Sequence, residues 1–247
     1  MIYAWFFVIG LIFGSFVNVL IYRFSANKYF WRKRSYCPLC DKTLTWYELI
    51  PLLSFFVQLG RCRGCRGKIS WQYPVVEITT GLLFTIGFWH YGWQVVLLKY
   101  LIFCVFGLAL SFIDGYKKEV PDQLSVTLIL FLLVTSLFTT NDWWQLAGAT
   151  IIGTGFFAVI HYASKGQWMG DGDIRLGAIM GLIIGNVFGL IVALGIASIT
   201  ASIYGLVRNA ISRRWIRQIA FGPFLLFGAW LALFLPTSII LKMVTII

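Results

Sequence analysis

Long apolar runs alternate with short polar breaks along the chain. The runs cover residues 2–22, 74–89, 95–112, 123–140, 146–164, 187–207 and 222–241, with a shorter one at 176–185. A helix needs about 20 apolar residues to cross a hydrocarbon core roughly 30 Å thick. Seven runs therefore predict membrane-crossing helices, and the eighth a short or re-entrant one. The first run has no basic residues before it and no small-residue cleavage site after it, so it reads as a retained helix rather than a secretory signal. Its Gly14-Ser15-Phe16-Val17-Asn18 stretch is polar for a lipid-facing surface and marks a contact between helices.

Composition agrees with this pattern. Of the 247 residues, 60% are hydrophobic and 12% charged, against about a quarter charged in soluble domains. The net charge of +11 would suggest nucleic acid in a soluble protein, but its placement argues otherwise. Loop 23–73 holds ten basic residues, 114–122 two, 165–175 two and 208–219 four, so 18 of the 20 fall in every other loop. That is the positive-inside distribution of a protein crossing the membrane eight times. Only Lys99 and Lys242 fall outside it, and nucleic acid is not expected as a partner. The expected fold is an all-α integral membrane protein of about eight transmembrane helices carrying a small cytoplasmic loop of zinc-ribbon type. Its expected divisions are 1–22, the first helix; 23–73, the cysteine-bearing cytoplasmic segment; and 74–247, the polytopic core.

Within 23–73, Cys37-Pro-Leu-Cys40 and Cys62-Arg-Gly-Cys65 are two CxxC knuckles 21 residues apart. Four thiolates at such spacing can converge on a tetrahedral zinc, which then supplies folding energy to a segment too small to hold itself. The plainer readings are two disulfides or idle thiols, and a cytoplasmic location disfavours disulfides. Cys104, alone in an apolar run, reads as a small hydrophobe.

Nine acids are present. Asp114 and Asp173 each lie at the cytoplasmic junction of an apolar run, where ionisable groups are costly and tend to be functional. If they meet, they would share a proton, and the pair could activate water while polarising a carbonyl. The glycines beside Asp173, Gly170 and Gly172, would admit a substrate backbone. Asp122 follows Pro121 at the start of a run and reads as an N-cap, Asp171 as a solvated loop acid, and Glu77 lies near the start of the second span. Metalloprotease HExxH and serine-hydrolase GxSxG patterns are absent. His161, alone in a helix, reads as packed or paired.

These stretches together resemble the type IV prepilin peptidases, the leader peptidase/N-methyltransferase family of GxGD aspartyl proteases. GSFVNVLIYR at 14–23, both knuckles, LTWYELIPLLSF at 44–55, ISWQYPVVE at 69–77, IDGYKKEVPD at 113–122, MGDGDIRL at 169–176 and AFGPFL at 220–225 carry the resemblance over nearly the whole chain. Trp168 stands where the family usually has a glycine, and Arg175 where it often has lysine. The resemblance implies Asp114 and Asp173 as the catalytic pair, Gly170 and Gly172 as the glycines of the active-site loop, and Asp122 and Glu77 as supporting candidates. It further implies a zinc ion on Cys37, Cys40, Cys62 and Cys65. The implied partners are prepilins or pseudopilins, cleaved after a glycine at the cytoplasmic face of the bacterial inner membrane and then N-methylated from S-adenosylmethionine. The alternatives are a peptidase without methyl transfer, a proton-coupled transporter using the same acids, and a zinc-stabilised scaffold for pilins.

Overall fold

A computed structural model describes residues 1–25, 34–212 and 219–235. Lys28, Arg32, Lys33, Arg213, Arg214, Arg217, Lys242 and positions 236–241 of the last apolar run lie outside the described residues. The described residues form nine α-helices: α1 Ile2–Ser25, α2 Leu53–Val57, α3 Gln72–Tyr91, α4 Val95–Lys117, α5 Asp122–Thr139, α6 Trp143–Ala163, α7 Asp171–Ile184, α8 Val187–Ser212 and α9 Gly222–Phe234. Each of the eight apolar runs has become a helix, and the short α2 is an addition within the cysteine segment. Among the described residues no strand forms, only two isolated antiparallel bridges, Tyr36 with Thr43 and Arg61 with Lys68.

Among the described residues five helices are long and apolar enough to cross a membrane: Ile2–Ser25, Val95–Lys117, Asp122–Thr139, Trp143–Ala163 and Val187–Ile211. Helices dominate because lipid offers backbone groups no hydrogen bonds, so each segment must satisfy its own. Their outer faces bear large exposed apolar side chains, such as Leu130, Val134 and Phe138 on α5 and Ile151, Phe156 and Val159 on α6. Aliphatic surface on this scale suits hydrocarbon rather than water. Exposed tryptophans flank two of the turns, Trp89 and Trp93 in one case and Trp143 and Trp144 in the other, as is usual at a membrane–water interface.

Two compact units divide the chain, one comprising 1–97 with 104–109, the other 98–103 with 110–247. In the first, α1 packs along α3 through facing glycines. A Cβ on Gly10 would lie 2.6 Å from the Gly81 Cα, and one on Gly14 2.6 Å from the Glu77 Cα. This is the close backbone approach that small residues allow in membranes. Asn18, buried in the same seam, donates from Nδ2 to the Tyr73 carbonyl at 3.1 Å, so the polar stretch noted in α1 is a helix contact.

In the second unit, α7 packs chiefly on α6 and also on α5 and α9, while α8 packs on α9. α7 is enclosed, with Leu176, Ile179 and Met180 all buried. Close approach again makes this possible, since Gly177 meets the backbone of Gly153, and Gly181 that of Ala149 and Thr150. The glycine- and charge-rich motif, expected to be loop as far as 175, instead begins the helix. Gly170 is the extended N-cap, and Asp171 and Asp173 lie in the first turn, where negative charge suits the helix dipole.

The small-residue seam gives a direct contrast on α6. Gly153→Leu, which drives a side chain into the Gly177 carbonyl, should lower thermal stability in detergent by about 1–3 kcal/mol. Gly155→Leu, whose new side chain meets nothing within 4 Å, should leave the melting temperature unchanged or raise it.

Candidate active site and metal centre

Asp114 lies in the last turn of α4 and is buried, at 7% exposure. Its Oδ2 accepts the backbone N–H of Gly222 at 2.9 Å. Gly222 is the first residue of α9 and follows the N-cap Phe221, so its amide is one of the four that a helix leaves unpaired at its N-terminus. A Cβ on Gly222 would sit 2.6 Å from Asp114 Oδ2 and 3.0 Å from Leu176 Cδ1. The end of α4, the start of α9 and the first turns of α7 therefore meet at one point.

Asp173 is half-buried in that first turn of α7, its N–H donating to the Gly170 carbonyl at 3.3 Å. Asp114 and Asp171 lie within electrostatic range of it. The two acids, 59 positions apart in the sequence, thus belong to one unit and stand at helix ends that converge. Gly172, expected to make room for substrate, makes room for the chain itself, because a Cβ there would lie 2.7 Å from Val120 Cβ.

Asp122 and Asp171 take other places than the sequence suggested. The N-cap of α5 is Pro121, and Asp122 is the first helical residue. Its carboxylate pairs with Nη1 of Arg175, whose Nη2 reaches Asp171 at 2.8 Å. The guanidinium side chain is 19% exposed and both carboxylates 78%, so one arginine ties the starts of α5 and α7 at the surface.

Glu77 belongs to the first unit, where it is buried at 6% exposure. Its Oε2 accepts the Leu52 N–H at 2.9 Å. Leu52 has φ 59° and ψ −53°, and the Leu53 N–H donates to the Pro51 carbonyl at 2.6 Å. This is a γ-turn of the rare, strained kind, and a buried carboxylate on α3 holds it in place.

The four cysteines converge. Their sulfurs all lie within 4.8 Å of one another, and Cys37 and Cys65 are 3.9 Å apart. None is disulfide-bonded. The two knuckles are built alike. Cys37 N–H donates to the Lys42 carbonyl and Cys62 N–H to that of Gly67. Asp41 N–H returns to the Cys37 carbonyl and Arg66 N–H to that of Cys62, while Leu44 reaches Ser35 as Ile69 reaches Gly60. Asp41 and Arg66 both take positive φ, 53° and 57°. Two copies of one hairpin thus present two thiols each to a common point, a cluster that could hold a metal ion.

Beside the first knuckle, Glu48 accepts from Lys42 Nζ at 3.0 Å and from the Thr45 amide and hydroxyl at 2.9 and 2.8 Å. The Lys42 stem lies against Gly64 of the second knuckle. Sequence reasoning passed over this pair and over the backbone amide of Gly222, while His161, read as packed or paired, bonds the Met169 carbonyl. A Thr-x-x-Glu spacing at 45–48 was the available signal for the first; a backbone amide such as that of Gly222 leaves none.

These features define a multi-pass, helical membrane protein with two carboxylates at converging helix ends and a four-thiol cluster in its hydrophilic segment. Comparison with known proteins narrows the class. Residues 8–91 match the bacterial peptidase A24 N-terminal domain and residues 101–206 the type IV leader peptidase family. The chain is 33% identical to a prepilin leader peptidase/N-methyltransferase of Bacillus subtilis, over 95% of this chain and 94% of that protein. A protein of the same name from Legionella pneumophila is 32% identical over 96% and 94%, and one from Neisseria gonorrhoeae 30% identical over 91% and 87%. The chain belongs to the type IV leader peptidase family. No solved structure matches it.

Hydrogen bonds from Thr45 and Lys42 hold the Glu48 carboxyl at about 2, below its ordinary 4.5. Because the folded value is depressed, the stabilisation is complete above about 4.5 and is lost as pH falls through about 2. Hydrogen-exchange protection of Thr45–Leu49 should therefore fall across that window in the wild type. In Glu48→Gln it should be lower at neutral pH and no longer vary across it.

Proposed function

We propose that this protein is a prepilin leader peptidase that also N-methylates its product, set in the bacterial cytoplasmic membrane with its basic loops on the cytoplasmic side. The observation that supports the peptidase half is that Asp114, bonded to the first amide of α9, and Asp173, in the first turn of α7, stand at helix ends that converge. Two carboxyl groups so placed share a proton. The ionised member takes a proton from water, which attacks the carbonyl carbon of the leader's last glycine. The protonated member donates to the carbonyl oxygen, and a proton then passes to the departing amine. With Oδ2 of Asp114 engaged by Gly222, Oδ1 is the atom left to handle the proton.

Supporting roles fall to the neighbouring acids. Asp122 and Asp171 hold Arg175, which sets the start of α7; Gly170 caps that start, and Gly172 lets it lie close to Val120. The polytopic core, 74–247, carries proteolysis, and the cysteine segment, 23–73, serves methyl transfer. Glu77 supports that segment by fixing its strained turn. Prepilins or pseudopilins are the substrates, and lipid surrounds the apolar helices. A substrate with a basic leader and an apolar N-terminal helix would keep its leader in the cytoplasm beside the membrane, where these acids are placed.

Zinc fits the thiol cluster. A tetrahedral ion with Zn–S bonds of about 2.3 Å sets sulfurs about 3.8 Å apart, close to the Cys37–Cys65 separation. With four thiolates it would be structural, tying one knuckle to the other. S-adenosylmethionine would be the methyl donor, a substrate of the second reaction.

Cleavage of a purified prepilin in detergent, with S-adenosylmethionine present and the products weighed, tests the reading. Asp114→Asn and Asp173→Asn should each leave the leader intact, while wild type removes it and adds the mass of one methyl group. Near-wild-type cleavage by either variant would reopen the transporter and scaffold readings; cleavage without mass gain would leave a peptidase alone. Elemental analysis should find one zinc per chain, lost in Cys62→Ser along with protection of the segment from proteolysis.

A further inference from the structure

The polar turn between α6 and α7 decides where Asp173 sits, and an imidazole is folded into it. His161 lies half-buried in the last turn of α6, its Nδ1 2.9 Å from the Met169 carbonyl oxygen. A carbonyl only accepts, so Nδ1 carries the hydrogen. Met169 directly precedes Gly170, which caps α7 and whose carbonyl receives the Asp173 N–H. The bond from His161 therefore lands one residue from the group that fixes the backbone of Asp173.

The remainder of the turn is wrapped on the same residue. The Gly166 N–H and the Ser164 hydroxyl both donate to the His161 carbonyl, at 2.8 and 3.2 Å, and Ser164 Oγ in turn accepts the Trp168 N–H at 3.3 Å. Lys165 and Gly166 reverse the chain with φ of 50° and 75°. At Gly166 a Cβ would lie 3.4 Å from His161 Cε1, so the ring fills the bend. The Nδ1 bond links this turn, through a side chain of α6, to the start of α7.

We propose that His161 is a positioning residue for the peptidase reaction. It holds the Met169 carbonyl, and through it the first turn of α7, so that the Asp173 carboxylate is presented to Asp114. The inference rests on the reading of Asp173 as catalytic. His161 acts through the backbone and does not touch the substrate, so its loss should slow the chemical step without weakening substrate binding.

The full-length enzyme in detergent, acting on purified prepilin, provides the test, with His161→Phe, His161→Ala, His161→Asn and Asp173→Asn compared. Asparagine places an amide nitrogen where Nδ1 lies, so it can donate to the same carbonyl; phenylalanine keeps the ring and loses the donor. We expect kcat to fall about 10- to 100-fold in the Phe and Ala variants, as small misplacements of catalytic groups do. KM should stay within about twofold of wild type and the Asn variant should recover to within about threefold in kcat, with melting temperatures of the Phe and Asn variants close to wild type. If Ala unfolds, the Phe and Asn pair decides. Wild-type kcat in the Phe variant overturns the inference, as does an Asn variant that melts normally yet is as slow as Phe. A cleaving Asp173→Asn would instead overturn the reading on which the inference rests.

Discussion

A carboxylate at the edge of a hydrocarbon layer has to find its hydrogen-bond donors within the protein, and for Asp114 the donor is the first amide of α9. That single bond constrains much of the second unit. It requires the end of α4 to meet the start of α9, and it requires residue 222 to lack a side chain, because a Cβ there would press on the carboxylate it serves. α7 must then enter beside both, which it does on a seam of glycines against α6. An unpaired helix terminus and a buried acid are each costly alone. Joined, each meets the other's need, and a catalytic candidate is fixed without a dedicated side chain.

The cysteine segment solves a different problem. Its two hairpins repeat one hydrogen-bond pattern, each with a residue at positive φ just after its second cysteine. Most of its large apolar side chains stay exposed, Trp46, Leu53, Phe56 and Leu59 among them, with Phe55 buried, so cohesion comes from the shared thiol cluster, from Lys42 and Glu48 beside it, and from Glu77 holding the strained turn at Leu52. The strain at Leu52 persists because its freed amide is captured by a buried acid, a local cost offset by contacts on either side of it.

Much of this was legible in the sequence, and the remainder was hidden for identifiable reasons. The apolar runs located the helices closely: 123–140 was expected and Asp122–Thr139 found, 2–22 expected and Ile2–Ser25 found. CxxC spacing foretold the convergence of thiols. The glycine-rich motif misled, because glycine density argues for loop while the helix that forms at 171 depends on Gly172 packing against Val120, a contact made across 52 residues. Asp122 reads as a cap from its neighbour Pro121, but its bond to Arg175 is long-range and leaves no local mark. The same holds for His161. Periodicity put it in a helix, and only the folded turn gives its ring a partner.

The amide that serves Asp114 belongs to no side chain, and this bears on how the site is inherited. Ordinary substitutions at 222 can crowd the bond but cannot delete the donor; only proline removes it. The surrounding sequence can therefore drift widely while the donor endures, provided α9 starts at the same residue. Comparing side chains among relatives will undercount what is shared, since part of the site is written in where a helix begins.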